Sequence, residues 1–92
     1  MPEAQSLLSG EMELAETNKA QQLITESHLI TGLLVRATKG NAAVVRIGSS
    51  TVGASSYAME GGESVQFDVI DPSRVYVYGT EKDKVSYLGL LP

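Results

Sequence analysis

Val65-Gln66-Phe67-Asp68-Val69, then Asp71-Pro72-Ser73, then Val75-Tyr76-Val77-Tyr78 is the stretch that sets the fold class. Apolar and polar side chains alternate in both outer pieces, the period of a strand with one buried face. Between them Pro72 falls at the second position of a turn, where its fixed φ is an advantage. Working upstream, Glu60-Gly61-Gly62-Glu63 reads as a turn and Thr51 to Ser56 as a weak strand of small residues. Before it, Ala43, Val45 and Ile47 alternate with Val44, Arg46 and Gly48, and Leu33, Val35 and Ala37 alternate with Leu34, Arg36 and Thr38. Lys39-Gly40-Asn41 separates these two runs and predicts a hairpin between them, each strand turning one arginine to solvent. Downstream, Glu81-Lys82-Asp83 turns again and Val85, Tyr87 and Gly89 alternate with Ser86 and Leu88.

Five or six short strands at this spacing predict an all-β fold, a small antiparallel sandwich or jelly-roll-like barrel with an extended N-terminal arm. The expected core is Val35, Val45, Ile47, Val65, Phe67, Val69, Val75 and Val77. Beyond residue 31, no window free of glycine and proline carries the i, i+3, i+4, i+7 spacing of an amphipathic helix.

The chain has 92 residues, room for one domain with a thin core. It has no cysteine, so neither disulfides nor thiolate metal sites supplement that core. With net charge -4 and basic residues scattered singly, it offers no track for a phosphate backbone, so no nucleic-acid partner is expected. No apolar run approaches the roughly 20 residues that span a bilayer, and no membrane partner is expected. Met1-Pro2-Glu3 lacks the basic and apolar regions of a secretory signal, which predicts a location in the cytoplasm, or in a particle assembled there.

Residues 1–30 divide from the rest in composition, and the expected organisation is an N-terminal arm or docking segment (1–30) and a β-sandwich domain (31–92). Glu11 to Glu16 suits an edge strand with Met12 and Leu14 inward, and the whole stretch from Glu11 to Ile24, free of glycine and proline, suits a helix equally well. The expectation is an extended arm whose early part docks outside the core, so that residues 1–20 can be removed and leave the domain folded.

Residue chemistry offers little for catalysis, and no enzyme, cofactor or metal is expected. His28 is the only imidazole, with no nucleophile or ligand set beside it, and reads as a loop or surface residue. Glu60, Glu63, Asp68 and Asp71 lack the spacing of a calcium loop. Gly48 to Gly53 lacks the ending of a phosphate-binding loop and precedes β formers where that motif needs a helix. Tyr76 and Tyr78 share the outer face of their strand, as surface packing or as an interface. Leu7 and Leu8 near one end match Leu90 and Leu91 at the other, and such ends need cover from the same chain or from a neighbour. The candidate interface residues are therefore Leu7, Leu8, Met12, Leu14, Tyr76, Tyr78, Leu90 and Leu91.

Residues 32–89 carry, in order, Gly32-Leu33-Leu34-Val35-Arg36-Ala37, Val44-Val45-Arg46-Ile47-Gly48, Gly61-Gly62-Glu63-Ser64-Val65, Asp71-Pro72-Ser73-Arg74-Val75-Tyr76-Val77 and Lys84-Val85-Ser86-Tyr87-Leu88. This series resembles small β-sandwich virion proteins of tailed bacteriophages, over about two thirds of the chain and none of residues 1–31. The resemblance implies a capsid decoration or cement protein on the virion surface, made in the host cytoplasm. It implies the major capsid protein and copies of itself as partners, with a homotrimer as the expected assembly. A head–tail connector, a tail or fibre-associated module, and a free-standing binding or carbohydrate-recognition domain remain open beside it.

Overall fold

Alternation at Val75 and Val77 buries both valines, and the strand that Val75 leads into and that carries Val77 lies in a two-sheet sandwich. The computed structural model describes residues 6–25 and 29–91. Its strands are β1 (Ser6–Glu13), β2 (Gln21–Gln22), β3 (Ile30–Ala37), β4 (Val45–Gly48), β5 (Tyr57–Met59), β6 (Ser64–Ile70), β7 (Tyr76–Tyr78) and β8 (Lys84–Leu91), with one 3₁₀ turn at Pro72–Arg74. One sheet has the order β1-β8-β3-β6 and the other β2-β7-β4-β5, with every pairing antiparallel. We call them sheets A and B. β1 pairs with β8, β2 with β7, β3 with β6 and β4 with β5, so the chain is one long two-stranded ribbon rolled onto itself. That is the topology of an eight-stranded jelly roll.

The core lies between the sheets. Sheet A contributes Leu33, Val35, Ala37 and Val85, and sheet B contributes Val45, Ile47, Met59 and Val77 together with Val75 just before β7, all buried. Five of the expected core residues are among them. Val65 and Phe67 point the same way but are only half-buried, because β6 is an edge strand.

Val69 is a correction, being 60% exposed. Gly32 (φ 65) adds one residue to β3 against β8, where the register shifts between Thr31 and Leu34. Before this bulge Ile30 is the buried residue and after it Leu33 is, so the inward phase flips. β6 stays in register with β3 and flips too, turning Ile70 inward and Val69 outward.

Two further expectations give way. β3 and β4 do not form a hairpin, since they belong to different sheets. The connection between them is tied to the start of β8 instead. The Asn41 side chain donates to Lys84 O (2.9 Å) and accepts from Lys84 N (2.9 Å). The buried Asp83 carboxylate accepts from Ala42 N (2.8 Å) and Ala43 N (3.1 Å). These bonds satisfy loop backbone that a hairpin ladder would otherwise have served. Residues 51–56 are turns, closed by Val52 N–H to Ser49 O and Ser56 N–H to Gly53 O, and the strand begins only at Tyr57.

The division at residue 30 has no counterpart. β1 and β2 are members of sheets A and B, and Leu14, Leu23 and Ile24 are core residues. The edge-strand reading of Met12 and Leu14 is the one the structure adopts. Leu14 continues the ladder past β1, donating to Asp83 O and accepting from Lys82 N, both at 2.8 Å. Gly10 faces Tyr87 across the pair, and a Cβ at Gly10 would stand 2.6 Å from the Tyr87 hydroxyl. The tyrosine ring thus occupies the place a side chain on β1 would need.

Candidate functional site

Strand alternation gives sheet A an outer face, and the register sets its rows. Leu7 lies opposite Leu90, Leu90 opposite Thr31, and Thr31 opposite Val69. The next row runs Ser9, Leu88, Leu34 and Gln66. Leu7 is 65% and Leu88 44% exposed, while Leu34 and Leu90 are half-buried. Beyond these rows the face turns polar, with Glu11, Ser86, Arg36 and Ser64 in one row and Glu13 opposite Lys84. One half of the outer face is therefore mainly apolar, broken by Thr31, Ser9 and Gln66, and the other is charged. Contiguous apolar surface on a sheet is the kind of patch that marks an interaction site.

The outer face of sheet B is different. Tyr76 lies between Gln22 and Gly48, and Tyr78 lies opposite Arg46, which lies opposite Ala58. Both tyrosines are half-buried. Arg46 Nη1 donates to Ser56 O at 2.7 Å, which fixes the guanidinium across the short β5 edge.

A third feature is a cleft of about 460 Å³ at the side of the sandwich, where β6 faces β4 and β5. Val65, Phe67, Ile70, Ile47, Val75 and Tyr57 line it, with Ser49, Ser64 and Arg74 among its polar groups. The cleft exists because β5 has only three residues and leaves the inward face of β6 uncovered.

Of the candidate interface residues, Leu7, Leu90, Tyr76 and Tyr78 are on outer faces. Leu14 is 1% exposed and cannot meet a partner, which corrects its placement in an interface. Leu8 and Met12 are corrected too, since they face inward and pack on this chain's own core. Leu91 pairs through its backbone with Ser6. Leu34, Leu88 and Val69 complete the apolar rows and are not among the candidate interface residues. Leu34 left a signal in the unbroken run Leu33-Leu34-Val35, whose middle residue has to face out; Val69 left none.

The acidic residues support turns. Glu63 accepts from Glu60 N (2.7 Å), and Asp71 accepts from Ser73 N (3.0 Å) and Ser73 Oγ (2.7 Å). Among the described residues no group of three or more His, Asp or Glu is placed to hold a metal. His28 lies outside the described residues. No described helix is long and apolar enough to cross a membrane.

These features define an antiparallel jelly-roll sandwich with one outer face that is apolar over half its extent and one lateral opening. No protein-family model, no curated protein and no solved structure matches the chain.

Proposed function

We propose that this protein is a non-enzymatic structural component of a tailed-bacteriophage particle. In this reading it is a decoration or cement protein that docks on the major capsid protein through the apolar half of the outer face of sheet A. The observation that carries the docking claim is the pair of rows containing Leu7, Leu90 and Val69, and Leu88 and Leu34. A sheet face of this character is unfavourable in water and gains from being covered. The jelly roll is also a fold of viral capsid domains, though folds alone do not assign function. A homotrimer on the capsid surface would give each weak contact the benefit of avidity.

The experiment pairs Leu7→Glu with Leu88→Glu. Both side chains are exposed, so the double variant keeps its fold by circular dichroism. Its loading onto particles falls at least tenfold, about 1.4 kcal/mol, in co-sedimentation. Undiminished loading would remove this face from the interface. Copy number per particle separates the readings, since a decoration protein scales with the capsid subunits and a connector or tail module does not.

A further inference from the structure

We propose that the lateral opening between β5 and β6 is a docking groove for an extended segment of a partner protein, one that alternates aliphatic side chains and carries an acidic residue beside Arg74. The inference does not depend on the particle to which the protein belongs.

The first observation is the state of the sheet edges. β2 has two residues and β5 three, too short to template a partner strand. β1 carries Glu11 and Glu13 along its length. β6 has seven residues, SVQFDVI, with no proline, no lysine and only Asp68 charged. Natural edge strands are usually blunted by such devices, and a long edge without them offers unpaired backbone groups to another chain. Addition of a strand to such an edge is a common mode of peptide recognition, with backbone bonds for affinity and pockets for alternate side chains.

The second observation is that the cleft lies directly beside this edge. An added strand would stand next to β6, over β5, and its inward side chains would fall against Val65, Phe67 and Ile70. The volume is within the usual range of about 300–1,000 Å³ for ligand sites. Filling it would bury the half-exposed apolar surface of β6 and complete the side of the sandwich.

The third observation selects the charge. Arg74 lines the cleft at the Ile70 end and is exposed, and among the described residues it makes no ion pair. Every other polar side chain of the lining carries a neutral hydroxyl, from Ser49, Ser64 or Tyr57. A carboxylate at that end of the incoming segment meets a complementary charge, and a lysine meets a like one.

The test uses the full chain, labelled for amide spectra, and two synthetic peptides of about nine residues, a usual strand length. Both alternate valine and threonine; one has glutamate at each end and the other lysine. The glutamate peptide should shift the amides of β6 and of residues 72–75, and bind about two- to fivefold more tightly than the lysine peptide, as for an exposed ion pair. Arg74→Glu should reverse that preference. Arg74→Gln, which only removes the charge, should abolish it, and it serves if the first variant folds poorly. Shifts centred on the outer face of sheet A, no saturable shifts, or a preference unmoved by either variant would overturn the proposal. Decanoate is the control for a small amphipathic anion. Saturable binding of decanoate in the cleft with none of the peptide would make the opening a small-molecule site and also overturn it.

Discussion

Leu33 and Phe67 face each other across β3 and β6, and they differ in what covers them. Leu33 is fully buried, whereas Phe67 stands on the edge strand with one side open to the cleft. Truncation to alanine should therefore rank against size. Leu33→Ala should cost about 2–5 kcal/mol, while Phe67→Ala should cost roughly half of the 3–5 kcal/mol expected for a fully buried phenylalanine. Urea unfolding with linear extrapolation measures both. A larger loss at Phe67 would mean that the opening is closed in solution. The sequence pattern told which way Phe67 points, because alternation is local. It did not tell how deeply Phe67 is buried, because that depends on whether another strand lies alongside. The same limit hid Val69, whose phase is inverted by a glycine on a neighbouring strand more than thirty residues away along the chain (Gly32).

At the scale of elements, turns were the most readable parts. Gly62 takes φ 94 in the Glu60–Glu63 turn, and Asp71 accepts the Arg74 N–H across Pro72. β7 and β8 follow their alternation, and β6 does so as far as Phe67. β1 was harder, because Ser9-Gly10 interrupts its pattern and the reason for Gly10 is a tyrosine near the other end of the chain. The supposed hairpin of β3 and β4 failed for a related reason. A short Gly-Asn turn between alternating runs looks the same whether the strands pair or part, and the deciding bonds come from Asp83 and Lys84. Since β1 and Leu14 belong to the sandwich, removing residues 1–20 should abolish folding. The deletion strips β8 of one neighbour and leaves a hole where Leu14 packs against Gly79. A thermal melt followed by circular dichroism checks this, and a cooperative transition in the truncated chain would restore residues 1–20 to the status of an arm. Of the candidate surface, the two tyrosines were legible from alternation, and Leu7 and Leu90 from the apolar character of the two ends. The rows they belong to were not, because rows are set by register between distant strands.

For the whole molecule, β6 borders both surfaces of interest, with Val69 in the apolar outer face and Phe67 in the cleft. A partner on one would sit close to a partner on the other, while the charged half of sheet A meets the cleft only at Ser64. The rolled-ribbon pairing also has a kinetic meaning. Strands β1 and β8 meet across nearly the whole chain, with Ser6 opposite Leu91, and closing so long a loop in one step would be slow. The pairs are nested, however. Once β4 and β5 meet, the loop left for β3 and β6 is short, and each pair in turn brings the next together like teeth of a zip. Substitutions at Val45 and Met59, opposite each other at the ribbon's tip, should therefore slow folding, with φ-values well above those at Met12 and Val85. Chevron analysis of these variants measures the gradient, and high values at the β1–β8 end would reverse the order. A chain that zips from its middle leaves its two ends free longest, so during folding the last edge to be covered is that of β8.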